Sequence, residues 1–251
     1  MAEKSKRALV IGGSSGAGRE IALGLAREGY QTYVVARHAK GLDSLKSENA
    51  SLETIAIDAS KDGVAAGLIK DLSPDLLLLV GGHQPQMLPF HEQSWEEFSA
   101  AWNNDTKIAY EFSKAAIENP MPKGSTIISF SSGASLGGSA LSGGYAGAKR
   151  MQHFLVNYAQ READRLDLDL QFFSIIPKQL VAGTEIGKEA SKAYAASVGK
   201  TPEQFMSQWK KPLTPVMIGE NILDLIKNGL PEGTNEGANA FVITGLGLDV
   251  L

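Results

Sequence analysis

Short apolar runs rich in β-formers alternate along this chain with longer segments of helical period. Ala8–Ile11, Thr32–Ala36, Thr54–Ile57, Leu76–Val80, Thr126–Phe130, Leu170–Ile176 and Ala240–Thr244 read as strands. An unbroken run such as LLLLV at 76–80 suits a central parallel strand covered on both faces. Between the strands, Ala17, Ile21 and Leu25, with Ala22 and Ala26, form an apolar stripe that ends at Gly29. Met151, Phe154, Leu155, Tyr158 and Ala159 follow the same i, i+3, i+4, i+7, i+8 period. Seven strands alternating with helices predict an α/β fold, a doubly wound parallel sheet in a single domain over 1–251. The irregular stretch from about 178 to 215 holds two short helical patterns, KEASKAYAAS and PEQFMSQWKK, and reads as a lid-like insertion.

Composition narrows the picture. The 251 residues, 43% hydrophobic and 21% charged, suit a globular protein with a sizeable core. The formal charge is −4 and the longest basic cluster is Lys210-Lys211, which argues against a nucleic-acid partner. Without cysteine, disulfides, thiolate metal sites and cysteine nucleophiles are excluded. The longest apolar run is too short to cross a membrane, and the polar start MAEKSKR leads straight into a strand, so no signal peptide is expected. These features together predict a cytoplasmic protein. Histidines at 38, 83, 91 and 153 lack metal-ligand spacing, so no metal is expected.

Candidate chemistry begins in the first strand–turn–helix, ALVIGGSSGAGREIA, with loop glycines at 12, 16 and 18. Glycines here let backbone amides approach a pyrophosphate at a helix N-terminus, as in Rossmann-type nucleotide sites. The same glycines could instead serve only close packing. The spacing is G-x-x-x-G-x-G, and Ser14, Ser15 and Ala17 complete the candidate loop. The second strand ends in VVARHAKG, with Arg37 where a ribose-binding carboxylate would stand. An arginine there accommodates a 2′-phosphate, which favours NADP(H) unless Arg37 is a solvated surface residue.

A second motif lies in SSGASLGGSALSGGYAGAK, residues 131–149. Tyr145 and Lys149 stand four apart at the start of a helical segment and share one face. An ammonium beside a phenol stabilises the phenolate, and Ser132 could hydrogen-bond a carbonyl or alcohol oxygen. With these motifs the chain resembles the short-chain dehydrogenase/reductase family over nearly its whole length. The resemblance includes GGSSGAG (12–18), Asp58 in AID, FSS (130–132), YAGAK (145–149) and IIP (175–177). It implies a general acid/base role for Tyr145 and a substrate-orienting role for Ser132. It further implies that Lys149 tunes the tyrosine and holds the nicotinamide ribose, that Asp58 contacts the adenine, and that Gly81 lies at the cofactor. The family fold it implies is a seven-stranded parallel sheet, commonly in a homotetramer or a dimer.

The chain departs from the family pattern in three places. Ile11 replaces a threonine before the first loop glycine, and LVGG (79–82) replaces N-N-A-G. Losing both polar partners together predicts an apolar contact between Ile11 and Leu79 or Val80. Asp105 falls at the position of a catalytic asparagine, with Asn104 just before it as the alternative. A carboxylate near Lys149 would partly offset the cation's effect on Tyr145. His83 after the fourth strand could touch a ligand or lie on the surface. Phe205, Met206 and Trp209 fall on one helical face and could wall an apolar pocket, dock the lid or meet a neighbouring subunit. The reading is an NADP(H)-dependent oxidoreductase that interconverts a small-molecule carbonyl and alcohol. A catalytically weak NADP(H)-binding sensor, or a partner-binding protein on the same fold, is the alternative. A nucleotide-sugar epimerase is disfavoured by length and glycine spacing.

Overall fold

The chain is described by a computed structural model covering residues 5–231, 234, 237 and 239–251. Met1–Lys4, part of the polar start in which no signal peptide was expected, lie outside the described residues. Its strands are β1 (Arg7–Ile11), β2 (Gln31–Ala36), β3 (Glu53–Ala56), β4 (Leu76–Leu79), β5 (Ser125–Phe130), β6 (Leu170–Pro177), β7 (Ala240–Thr244) and β8 (Gly247–Val250). The first helices are α1 (Gly16–Arg27), α2 (Ala39–Glu48), α3 (Val64–Leu72), α4 (Trp95–Ala101) and α5 (Lys107–Glu118). After them come α6 (Ala134–Gly137), α7 (Gly143–Arg165), α8 (Glu185–Ser197), α9 (Pro202–Met206) and α10 (Pro215–Asn228). No helix among the described residues is long and apolar enough to cross a membrane.

The sheet has the order β3-β2-β1-β4-β5-β6-β7-β8, and only β8 runs antiparallel, on β7. The expected seven parallel strands are therefore present, and the expectation of a purely seven-stranded sheet is corrected by an eighth. A tight turn at Gly245-Leu246 lets the chain return along β7, with Thr244 opposite Gly247. Such a hairpin needs no crossover helix. Apolar runs cover both faces of the parallel strands. One core cluster packs α1, α2 and α10 on the sheet through Ile21, Leu25, Leu45 and Ile222. The other packs α3, α5 and α7 through Ile69, Phe112, Val156 and Phe172.

Strand order reverses between β1 and β4, and ligands bind at this crevice in doubly wound sheets. Its floor answers the question raised by the two missing polar residues. Ile11 pairs in register with Leu79, each is 2% exposed, and both belong to the same apolar cluster. The Ile11 carbonyl accepts hydrogen bonds from the Val80 and Gly81 N–H groups at 3.0 and 2.9 Å. One residue further on, a Cβ at Gly12 would sit inside the backbone of Gly81, and Gly12 has φ +86°. Only glycine meets both demands. Ile11→Thr is expected to lower Tm, because it brings a hydroxyl into an apolar contact. An unchanged or higher Tm on thermal unfolding would refute the contact as a stabilising one.

Candidate active site

The C-terminal ends of the parallel strands open into a cleft of about 900 Å³. Its walls include every residue singled out for the cofactor: Gly12, Ser14, Ser15, Gly16, Ala17, Gly18, Arg37, Asp58 and Gly81. Ser132, Tyr145 and Lys149 line the same cleft. A smaller hollow of about 300 Å³ lies by Lys6, Asp75 and Gly124, near the opposite ends of the strands and away from these groups.

Tyr145 and Lys149 occupy the first turns of α7, and β5 leads directly into Ser131 and Ser132. The buried Ser131 hydroxyl donates to the Lys149 carbonyl at 2.7 Å, which ties α7 to the end of β5. The Gly133 N–H donates to the Pro177 carbonyl at 2.7 Å and holds the ends of β5 and β6 together around Ser132. The Ser132 hydroxyl oxygen accepts from the Ala134 N–H at 3.2 Å, which leaves its proton available. The Lys149 ammonium lies 5.6 Å from the Tyr145 ring centroid. Among the described residues no protein group hydrogen-bonds the half-buried Tyr145 phenol.

Lys149 is only 4% exposed, and its Nζ donates to the Phe130 carbonyl at 3.3 Å. Asp105, fully buried, places Oδ2 3.2 Å from that Nζ. Burial alone would push the lysine down. The Asp105 charge, the neighbouring Tyr145 and the Asp105 contact outweigh it and hold Lys149 above its ordinary value. Asp105 Oδ1 accepts from the His83 N–H at 2.6 Å and from the Asn104 amide at 2.9 Å.

The segment Trp102–Thr106 winds as one π-helical turn between α4 and α5. Such a turn absorbs an extra residue into a helix, so spacing alone leaves the register open by one. The two candidates divide the work: Asp105 meets Lys149, while Asn104 lines the cleft and hydrogen-bonds Asp105. His83 contributes its backbone, and its ring is not among the cleft walls. Gly82 closes the LVGG stretch, and its residue type alone assigns it no part in the site. A Cβ there would stand 2.9 Å from Asp105 Oδ2 and 3.5 Å from Lys149 Nζ, so the loop after β4 closes tightly over the ion pair. No polarity or charge marks such a glycine in sequence.

The rest of the cleft suits a dinucleotide. Ser15, at the N-cap of α1, makes no side-chain capping bond, and Gly16 has φ +54° with only the Thr184 methyl, at 3.4 Å, near its missing Cβ. The uncapped amides of α1 thus face a cleft with room for an anion. Arg37 is exposed at the end of β2. The Ser60 hydroxyl at 2.7 Å and its N–H at 3.0 Å hold the Asp58 carboxyl below its ordinary value, so it is an acceptor at neutral pH. Among the described residues no cluster could hold a metal ion.

A family model for short chain dehydrogenase matches residues 6–197. The chain belongs to the short-chain dehydrogenase family. Curated relatives include the L-xylulose reductase of Mesocricetus auratus, 29% identical over 52% of this chain and 54% of the relative. Another is the gluconate 5-dehydrogenase of Gluconobacter oxydans (strain 621H), 32% identical over 47% of this chain and 49% of the relative. The match therefore spans about half the length of each of these two relatives. Among solved structures, the alcohol dehydrogenase of Thermococcus sibiricus complexed with 5-hydroxy-NADP has a TM-score of 0.76 at 23% identity, over 97% of both chains. Levodione reductase has a TM-score of 0.79 at 20% identity, over 96% of both. At these identities the likeness is one of fold, and it covers nearly the whole chain.

The lid-like stretch differs in detail from the expected helices. Helix α8 starts at Glu185, where the Thr184 hydroxyl caps the Gly187 N–H at 3.0 Å. Helix α9 opens with a Thr201–Gln204 capping box and stops at Met206, so Trp209 lies beyond it. Phe205 and Trp209 line the cleft and Met206 does not, which corrects the expectation of a three-residue helical face. Tyr194 of α8 joins the two instead.

Proposed function

We propose that this chain is an NADP(H)-dependent oxidoreductase that interconverts a carbonyl and an alcohol, with Tyr145 as general acid/base. The observation that carries this reading is the meeting of Tyr145, Lys149 and Ser132 on the wall of the cleft that also holds the glycine loop. Bound NADPH would supply the hydride for reduction. As charge develops on the substrate oxygen, the Tyr145 hydroxyl delivers a proton to it and Ser132 donates a second hydrogen bond. The Lys149 ammonium stabilises the phenolate left behind, and Asp105 keeps that ammonium charged in its buried position. In oxidation the phenolate takes the proton from the alcohol. Gly12, Ser14, Ser15, Gly16, Ala17 and Gly18 would receive the pyrophosphate, Asp58 and Gly81 would flank the nucleotide, and Tyr145 with Lys149 would hold the nicotinamide ribose.

Arg37 would grip the 2′-phosphate. A charge-assisted contact of about 1.5–3 kcal/mol corresponds to about a 10- to 150-fold preference. Arg37→Asp is therefore expected to weaken NADPH binding by at least about tenfold while NADH binding holds or tightens. Titration calorimetry with both nucleotides checks this. Equal losses for the two, or none, would contradict NADP(H) selection by Arg37.

A further inference from the structure

We infer that the substrate end of the cleft is built for a flat, apolar carbonyl compound laid against an aromatic wall of Tyr194, Phe205 and Trp209. This rests on the oxidoreductase reading above and names its substrate class. The three rings come from α8, α9 and the turn after α9. Tyr194 and Phe205 stack with centroids 5.8 Å apart and planes 20° apart. Phe205 and Trp209 meet edge to face at 6.0 Å and 81°. All three are half-buried and all three line the cleft that holds Tyr145. Tyr194 and Phe205 share part of their faces in that stack, and all three rings still keep surface toward the cleft.

The wall is anchored to the catalytic segment. The Tyr194 hydroxyl shares a 2.7 Å hydrogen bond with the Ser139 hydroxyl, seven residues beyond Ser132 on the same β5–α7 connection. That bond occupies the polar tip of Tyr194 and leaves its ring as the surface on offer. Pro85 and Met87, from the loop after β4, add further apolar lining. Met adapts to flat rings through its polarizable sulfur, and aromatic faces attract other aromatic faces in offset stacks. A polyhydroxylated substrate pressed on this wall would lose water from its hydroxyls and find few partners.

The test compares 2-acetonaphthone with dihydroxyacetone at saturating NADPH, in wild type, Trp209→Ala and Phe205→Leu. The second variant keeps apolar bulk and removes only aromaticity. Wild type is expected to favour the naphthyl ketone in kcat/KM by at least about 100-fold, and each variant to cut that preference by about tenfold or more. Preference for dihydroxyacetone, or an unchanged ratio in both variants, overturns the inference. If wild type reduces neither ketone, calorimetric binding of 2-acetonaphthone to the NADP-loaded protein decides. Binding weakened about tenfold in Trp209→Ala upholds the aromatic wall, and the oxidoreductase reading is then judged separately by turnover of a wider panel of carbonyls. Absence of binding to wild type overturns the wall.

Discussion

Asp105→Asn is expected to destabilise the fold strongly, because it leaves the Lys149 ammonium buried without a counter-charge. Asp105 and Lys149 side chains are 0% and 5% exposed, so little water reaches the pair to replace the lost partner. Breaking such a pair costs about 3–5 kcal/mol, and at about 2–4 °C per kcal/mol Tm falls by about 6–20 °C. The double variant Asp105→Asn/Lys149→Met should recover part of that loss, since it no longer buries a lone charge. The pH dependence has a definite sign. Burial pushes Lys149 down but its partners raise it overall above the ordinary 10.5, so its contribution is present below that value. That contribution is lost as pH climbs through the folded-state value. In Asp105→Asn, burial is opposed far less and Lys149 sheds its proton earlier. The Tm gap between wild type and variant should therefore narrow toward pH 10–11. A gap that is small, or that does not change with pH, would mean the pair contributes little. Alcohol oxidation supplies a separate readout. While Lys149 stays charged, removing the carboxylate should move the pH–rate profile to lower pH, and an identical profile takes Asp105 out of the chemistry.

Tyr145→Phe is expected to lower carbonyl reduction by about 10²–10⁴-fold, the range for losing a positioned proton donor. The variant should fold normally. It deletes one oxygen from a half-buried ring, and no described protein group hydrogen-bonds that oxygen. The glycine loop, Arg37 and Lys149 are untouched, so NADPH should still bind, weakened only by the lost Tyr145 contact to the ribose, which separates a chemical defect from an empty cleft. Steady-state turnover beside NADPH titration measures both quantities. Reduction at near wild-type rates would remove Tyr145 from its role and leave Ser132 or a water as the proton donor.

Much of this architecture is written in local patterns. β4 appears as LLLL because a strand covered on both faces has no reason to alternate. The glycine loop and Tyr145–Lys149 are equally plain, since each depends on close spacing within one element. What stayed hidden depends on distant contacts. Helix α8 begins before its periodic stretch because Thr184 caps it, and β8 is an edge strand whose partner is recruited by a tight turn. The π turn moves Asp105 by one residue relative to a regular helix, a shift that periodicity cannot register. Tyr194 lies in an alanine-rich helix and reads there as an ordinary packing residue. Only the fold brings Phe205 and Ser139 to it. Gly82 is the clearest case, because its importance is the space it leaves for Asp105 and Lys149.

The central question is whether the cleft performs chemistry or only holds a nucleotide. Wild-type protein incubated with NADPH and a panel of ketones and aldehydes, with alcohol quantified against NADPH consumed, decides this directly. We expect equimolar alcohol and oxidised cofactor for at least one member of the panel. Firm NADPH binding with no carbonyl reduced by the wild-type protein would contradict the account and identify a cofactor-binding sensor instead.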